Sequence, residues 1–268
     1  AALKRLGDGL LCADDLGSDR LRQFAEVHFS VFDVPAAVSA EVLRRAPKAC
    51  RPFTPKALRE YVRRKLSDPK KRERRLGTSA WAALGSVPFV LELLEWCARD
   101  LGPGAAQYAE LSGLCLLPLA DGSLAVLGSA PYVVARAAQQ RLLPHMRARF
   151  AHALCAEHAE LGARFAGPDP AFRKAVGLHD LALPMLATEL AARPSDDFTT
   201  DDARAFWSHV RAQAGCAGGL RTADVPLGTF GAFRLLPTEG TPQLREVREW
   251  RGAVVVPPAL AAAALPTD

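Results

Sequence analysis

The chain has 268 residues, 49% of them hydrophobic and 24% charged, with a formal net charge of +5 and a pI near 9.0. That length holds one large domain or two modest ones, and the composition is that of a globular chain, against disorder as its overall state. Abundant alanine and leucine beside only three tyrosines favour helix over an all-β fold. The longest apolar stretch, residues 253–266, is interrupted by Pro257 and Pro258 and falls short of the ~20 residues that span a bilayer. The chain opens without methionine and without a signal-peptide pattern, so a piece of a longer chain is expected.

The first fifty residues read as a loop around Gly7 and Gly9, then apolar segments at 21–32 and 38–43. Thr54 is placed to cap a helix beginning at Pro55, where the missing N–H costs nothing. Leu58, Tyr61, Val62 and Leu66 recur at helical spacing, which buries one face and leaves Arg59, Arg63 and Arg64 elsewhere. Asp68-Pro69 ends that helix. Ser86 caps the next one, with Pro88 in its first turn and Leu91, Leu94 and Ala98 on its stripe; Gly102-Pro103-Gly104 breaks it.

Residues 113–126, GLCLLPLADGSLAV, carry the clearest β signal. Asp121-Gly122 predicts a two-residue type I′ hairpin turn, and Pro118, lacking an N–H, puts its strand at a sheet edge or at its end. From Tyr132 to Leu190 the pattern is helical, with breaks at Pro144, Gly167–Pro170 and Pro184. Thr199 or Thr200 caps a further helix in which Asp201 and Asp202 oppose the dipole and Phe206, Trp207 and Val210 form the apolar face. Gly215–Gly219 is a loop, and residues 233–247 and 252–256 read as extended.

The fold class expected is therefore α+β, mainly helical, with two short hairpin or strand segments at about 113–127 and 230–256. A first helical segment, 1–128, ends in the hairpin; a second, 129–268, ends in another strand pair. One continuous domain cut from a larger chain is the other division considered. LLPLADGSL (116–124) and LLPTEGTPQL (235–244) echo one another, which is either a faint duplication or two hairpins drawing on the same turn residues.

The positive charge is local. Residues 56–75 hold ten basic side chains, among them Lys56, Arg59, Arg63, Arg64, Lys70, Lys71, Arg72 and Arg74, against three acidic ones, so the remainder of the chain is slightly acidic. Such a run can grip phosphates, but only Tyr61 could stack on a base, and it sits on the apolar stripe. A solvated face or a docking surface for an acidic protein segment is preferred to nucleic acid or anionic lipid.

Motifs for chemistry are scarce. No G-x-x-x-x-G-K-[ST], G-x-G-x-x-G or G-x-S-x-G occurs, and Gly228-Thr229-Phe230-Gly231 has only the spacing of a nucleic-acid-clamping loop. The six cysteines include no C-x-x-C pair, and reduced, buried thiols are expected. His152, Cys155 and His158 recur every three residues on a predicted helix, which fans the outer pair across ~120° and suits a helix face better than a metal. The other histidines, His28, His145, His179 and His209, stand alone and read as structural or exposed.

Read in order, several segments resemble the repeating region of sacsin-type proteins, very large eukaryotic chains linked to chaperone work. They are FTPKALREYVRR (53–64), VLELLEWCARDL (90–101), GLCLLPLADG (113–122), RLLPHMRARF (141–150), AFWSHV (205–210) and FRLLPTEG (233–240). GLCLLPLADG is the specific one; the rest add weight by collinearity. The resemblance implies the part of the repeat downstream of an ATPase module related to that of the ninety-kilodalton heat-shock chaperone, whose asparagine helix and glycine-rich lid have no counterpart here. Phe233-Arg234 stands where the family pattern carries a tryptophan.

No catalytic, cofactor or metal residue transfers through this resemblance. What transfers is structural: Pro118, Asp121, Gly122 and Pro237 shape turns and strand ends. The implied function is a non-catalytic interaction segment of a cytoplasmic, chaperone-associated scaffold. Its partners are client proteins and a neighbouring ATPase-like module, and its candidate surface is Arg59, Arg63, Arg64, Lys70, Lys71, Arg72 and Arg74. The alternatives are a basic-helix adaptor for nucleic acid or anionic membrane and, third, an unrecognised hydrolase using His152/His158 with a nearby acid.

Overall fold

The computed structural model describes residues 10–12, 18–28, 31–32, 40–41, 44–45, 50–66, 85–102, 104–166, 170–194, 197–214, 227–236 and 244–249. Lys70, Lys71, Arg72, Arg74 and Pro237 lie outside them, as do Gly7, Gly9, the Gly215–Gly219 loop and residues 252–256. The α+β class, mainly helical, holds. The chain forms two compact units, 1–134 with 151–179, and 135–150 with 180–268. It therefore changes unit three times, and none of the changes falls at 128/129.

The first unit opens with a feature that its sequence did not announce. Strands β1 (Leu10–Cys12), β2 (Val31–Phe32) and β3 (Cys50–Pro52) form a parallel sheet in the order β2-β1-β3, with helix α1 (Asp19–His28) between the first two. Strands of two or three residues carry no readable alternation, which is why the pattern pointed only to apolar segments.

Helix α2 (Pro55–Tyr61) begins as its cap dictates: the Thr54 hydroxyl accepts the Ala57 N–H at 3.2 Å, and Pro55 takes the first turn. It runs into a π-helical turn, Val62–Leu66. Helix α3 (Val87–Ala98) starts on Ser86, whose hydroxyl accepts the Phe89 N–H, and it buries eight of its twelve residues. An element apolar on nearly every side belongs at the centre of a core. Leu58, Val62, Leu91, Leu94, Leu116 and Leu161 are all part of one cluster with it. Short helix α4 (Ala105–Tyr108) follows.

The hairpin lies where expected but turns differently. Strands β4 (Leu117–Pro118) and β5 (Leu124–Ala125) pair antiparallel, and backbone bonds between Leu114 and Leu127 and from Gly113 to Leu127 lengthen the ribbon. Gly122 donates to the Leu119 carbonyl and Leu119 to that of Ser123, so the loop holds three residues, Ala120, Asp121 and Gly122. Only Gly122 has positive φ, at 83°; Asp121 does not. The type I′ expectation is thus corrected to a three-residue turn closed by a left-handed glycine. Asp121 works through its side chain, accepting from the Ser123 N–H at 2.9 Å and hydroxyl at 2.6 Å.

Pro118 ends β4, as one of its two expected positions required. Its neighbour Leu119 donates to the Ser123 carbonyl just before β5, so by alternation the backbone of Pro118 faces away, and its missing N–H costs the hairpin nothing. The Pro118 carbonyl accepts the His152 N–H at 2.8 Å, and Leu119 bridges Ala151.

Part of the region from Tyr132 to Leu190 is extended instead of helical: β6 (Tyr132–Val134) pairs with β7 (Leu178–Asp180). Two adjacent valines after an aromatic favour a strand over a helix. Gly177, at φ 73°, makes the join, because a Cβ there would meet the Ala130 carbonyl oxygen at 2.7 Å. Between these strands come α5 (Ala137–Leu142), α6 (Leu154–Glu157), α7 (Ala159–Ala166) and α8 (Pro170–Val176). Phe172 stands edge-on to both Tyr108 and Phe165, each pair of ring centroids 5.4 Å apart, and all three are buried in the first unit.

In the second unit, α5 packs on α10 (Thr200–Ala214), and β8 (Arg234–Leu236) packs on the same helix. Helix α9 (Leu183–Leu190) begins with Pro184 in its first turn, so that proline starts a helix. Thr199 caps α10 reciprocally: its hydroxyl accepts the Asp202 N–H, and the Asp202 carboxylate accepts the Thr199 N–H at 2.9 Å. Phe206 and Val210 are buried as their spacing predicts, and Trp207 donates its indole N–H to the Leu235 carbonyl at 2.7 Å. Helix α11 (Leu227–Phe230) brings Phe230 to 5.1 Å from Phe206. Strand β9 (Arg245–Glu246) pairs antiparallel with β8, so Leu116-Leu117 and Leu235-Leu236 each lead into an antiparallel pair.

Candidate functional site

The basic helix is the one surface for which the sequence offered a partner. Its arginines divide. Arg59, placed by spacing on the solvated face, is only 3% exposed. Its Nη1 donates to the Cys97 carbonyl at 2.6 Å and to Asp100 at 2.5 Å, and Nη2 reaches the second Asp100 oxygen at 3.2 Å. The guanidinium thus closes the C-terminal end of α3, where unsatisfied carbonyls and the negative end of the dipole welcome a cation. Nε lies 3.9 Å from the Glu110 carboxylate. As a member of the candidate interaction surface, Arg59 is therefore corrected to a buried clamp.

Arg63, on the π turn, follows it. It donates to the carbonyls of Glu110 and Ser112 and lies 3.8 Å from the Glu110 carboxylate, while staying partly exposed. Lys56 and Arg64 are exposed.

The His152–Cys155–His158 spacing does not build one helical face. His158 has extended backbone, with ψ 129°, and separates α6 from α7. Each histidine serves a helix start: Nδ1 of His152 accepts the Leu154 N–H at 3.2 Å, and Nδ1 of His158 accepts the Leu161 N–H at 3.4 Å. His158 Nε2 lies 3.5 Å from Glu95. Burial lowers the His152 pKa, with Glu157 opposing. The Cys155 thiol between them is buried, and burial pushes its pKa up to about 12. Cys97 is likewise raised to about 12 by burial, with Arg59 opposing. Such thiols are poor nucleophiles. Among the described residues, no group of three or more His, Cys, Asp and Glu is arranged around a metal position.

Three polar groupings in the second unit had no sequence signal. Arg193 donates to the Leu142 and Asp197 carbonyls and to Asp202 at 2.8 Å, and it lies over the Phe198 ring. Glu189 accepts from His145 at 3.0 Å and Arg149 at 3.2 Å. Gln139 meets the buried His209. Each joins residues far apart in the chain, and no local spacing marks them.

No family model, curated protein or solved structure matches this chain. Among the described residues, no helix is long and apolar enough to cross a membrane.

Proposed function

We propose that this chain is a non-catalytic interaction segment of a chaperone-associated scaffold of the sacsin type. It would present its surface to client or partner proteins, beside a separate ATPase-like module in the cytoplasm. The observation that carries the reading is the commitment of Arg59, Arg63, His152 and His158 to backbone ends of their own chain. Side chains that a phosphate grip or a hydrolytic centre would need are spent on holding helices and turns, which supports a scaffold. The collinear order of the six sacsin-like segments supports the family.

The test is light scattering from a thermally unfolding model enzyme with and without the purified chain. Suppressed aggregation, together with no heat on titrating ATP into the chain alone, is expected. Tight ATP binding by the chain would overturn the division of labour with a separate module. Salt-sensitive RNA binding that is lost in a Lys56→Glu/Arg64→Glu/Lys70→Glu/Lys71→Glu variant would replace the scaffold with a polyanion adaptor.

A further inference from the structure

Helix α5 meets α10 through a polar contact whose protons are fixed by its neighbours. Gln139 Oε1 accepts the Arg136 N–H at 2.7 Å, so its amide nitrogen faces His209. That nitrogen lies 2.7 Å from His209 Nδ1. An NH2 group has no lone pair to offer, so Nδ1 must accept, and the ring is neutral with its proton on Nε2. Nε2 is buried and makes no hydrogen bond of good geometry. His209 as a whole is 4% exposed.

We propose that the Gln139–His209 contact is a proton-operated latch: acidification places a second N–H on the ring, facing the Gln139 amide, and frees α5 from α10. Two donors opposed at this distance repel, and a buried imidazolium lacks the water that would solvate it. Rotating the amide is no escape, because it would point the NH2 at the Arg136 N–H.

Among the described residues, Asp180 is the charged group that acts on the ring. Asp180, in β7, favours the protonated ring, as does the Leu181 carbonyl, but burial outweighs both and lowers the pKa. Helix α5 brings neutral Gln139, and its flanking Arg136 and Arg141 are exposed; Arg234 of β8 is exposed as well. Released α5 carries an ordinary histidine opposite, with a pKa of ~6.5, so lowering pH from 7.5 to 5.5 raises the open population by up to roughly tenfold. The sign follows from the lowered pKa: docking is complete above ~6.5 and weakens as pH falls below it. This latch is independent of the scaffold reading, since it concerns only how one helix is held.

Amide hydrogen exchange of the full chain, corrected for intrinsic rates, tests it. Residues 137–142 should lose protection at pH 5.5 relative to 7.5 by up to roughly tenfold, while 87–98 keep theirs. His209→Gln should abolish the pH dependence. Gln139→Glu, which offers the ring a carboxylate, should reverse it, and it serves as the reading if His209→Gln does not fold. Protection at 137–142 that is indifferent to pH in the natural chain would overturn the latch. So would an unchanged acid response in either variant.

Discussion

Arg59 in the first unit and Arg193 in the second perform the same task from opposite sequence settings. Each guanidinium ties a carboxylate to carbonyl ends, Asp100 with Cys97 in one case and Asp202 with Leu142 and Asp197 in the other. Arg59 comes from a run dense in positive charge, whereas Arg193 stands between alanine and proline. Charge density along the chain therefore does not say which arginine is available to a partner. Availability depends on where the fold leaves unpaired carbonyls, because a planar five-donor fork satisfies several of them at once.

The comparison breaks most sharply in the cores. Phe172 packs on Tyr108 and Phe165, and Phe206 on Trp207 and Phe230. Phe172→Ala and Phe206→Ala should each cost about 3–5 kcal/mol. Hydrogen exchange should show the loss confined to the first unit for one and to the second for the other. Loss across both units from either substitution would mean that the units are not separate in stability.

The clamps come next. Asp100 is 39% exposed at its side chain and Asp202 only 10%. Solvent screens the first pair more, so Arg193→Met should destabilise by about 3 kcal/mol and Arg59→Met by about 2, read from urea unfolding. The reverse order would show that the Cys97 carbonyl matters more than the carboxylate.

The smallest effect expected is protonic. His152 accepts the Leu154 N–H, and its pKa is lowered by burial. The unfolded chain therefore takes up the proton first, and the stabilisation present above ~6.5 is lost as pH falls below it. His152→Asn, which can still cap but does not titrate, should flatten part of the decline in the first unit's melting temperature between pH 7.5 and 5.5.

What the sequence made legible was whatever its own neighbours decide. Thr54 with Pro55, Ser86 with Phe89 and Thr199 with Asp202 lie within three residues of one another, and each helix begins where those residues require. The hairpin was placed correctly but its turn was not, because Asp-Gly is compatible with more than one left-handed arrangement and the Leu119–Ser123 pairing decides between them. Arg59 was misread since its partners lie about forty residues away, and the three-residue histidine spacing was misread since His158 leaves the helix. The parallel sheet was invisible because its strands are shorter than any period they might display.

The path of the chain has a consequence for the order in which the molecule can be made. Residues 135–150 belong with 180–268, and 151–179 complete what 1–134 begins. A polypeptide emerging from the ribosome cannot close its first unit when the hairpin at 113–127 appears; Pro118 and Gly128 still await His152 and Val176 as backbone partners. The intervening helix must in turn wait for α10, more than fifty residues later. The first unit is complete only when synthesis reaches the third crossing, at 179/180, so cutting the chain at 128/129 yields two pieces of which neither contains a whole first unit.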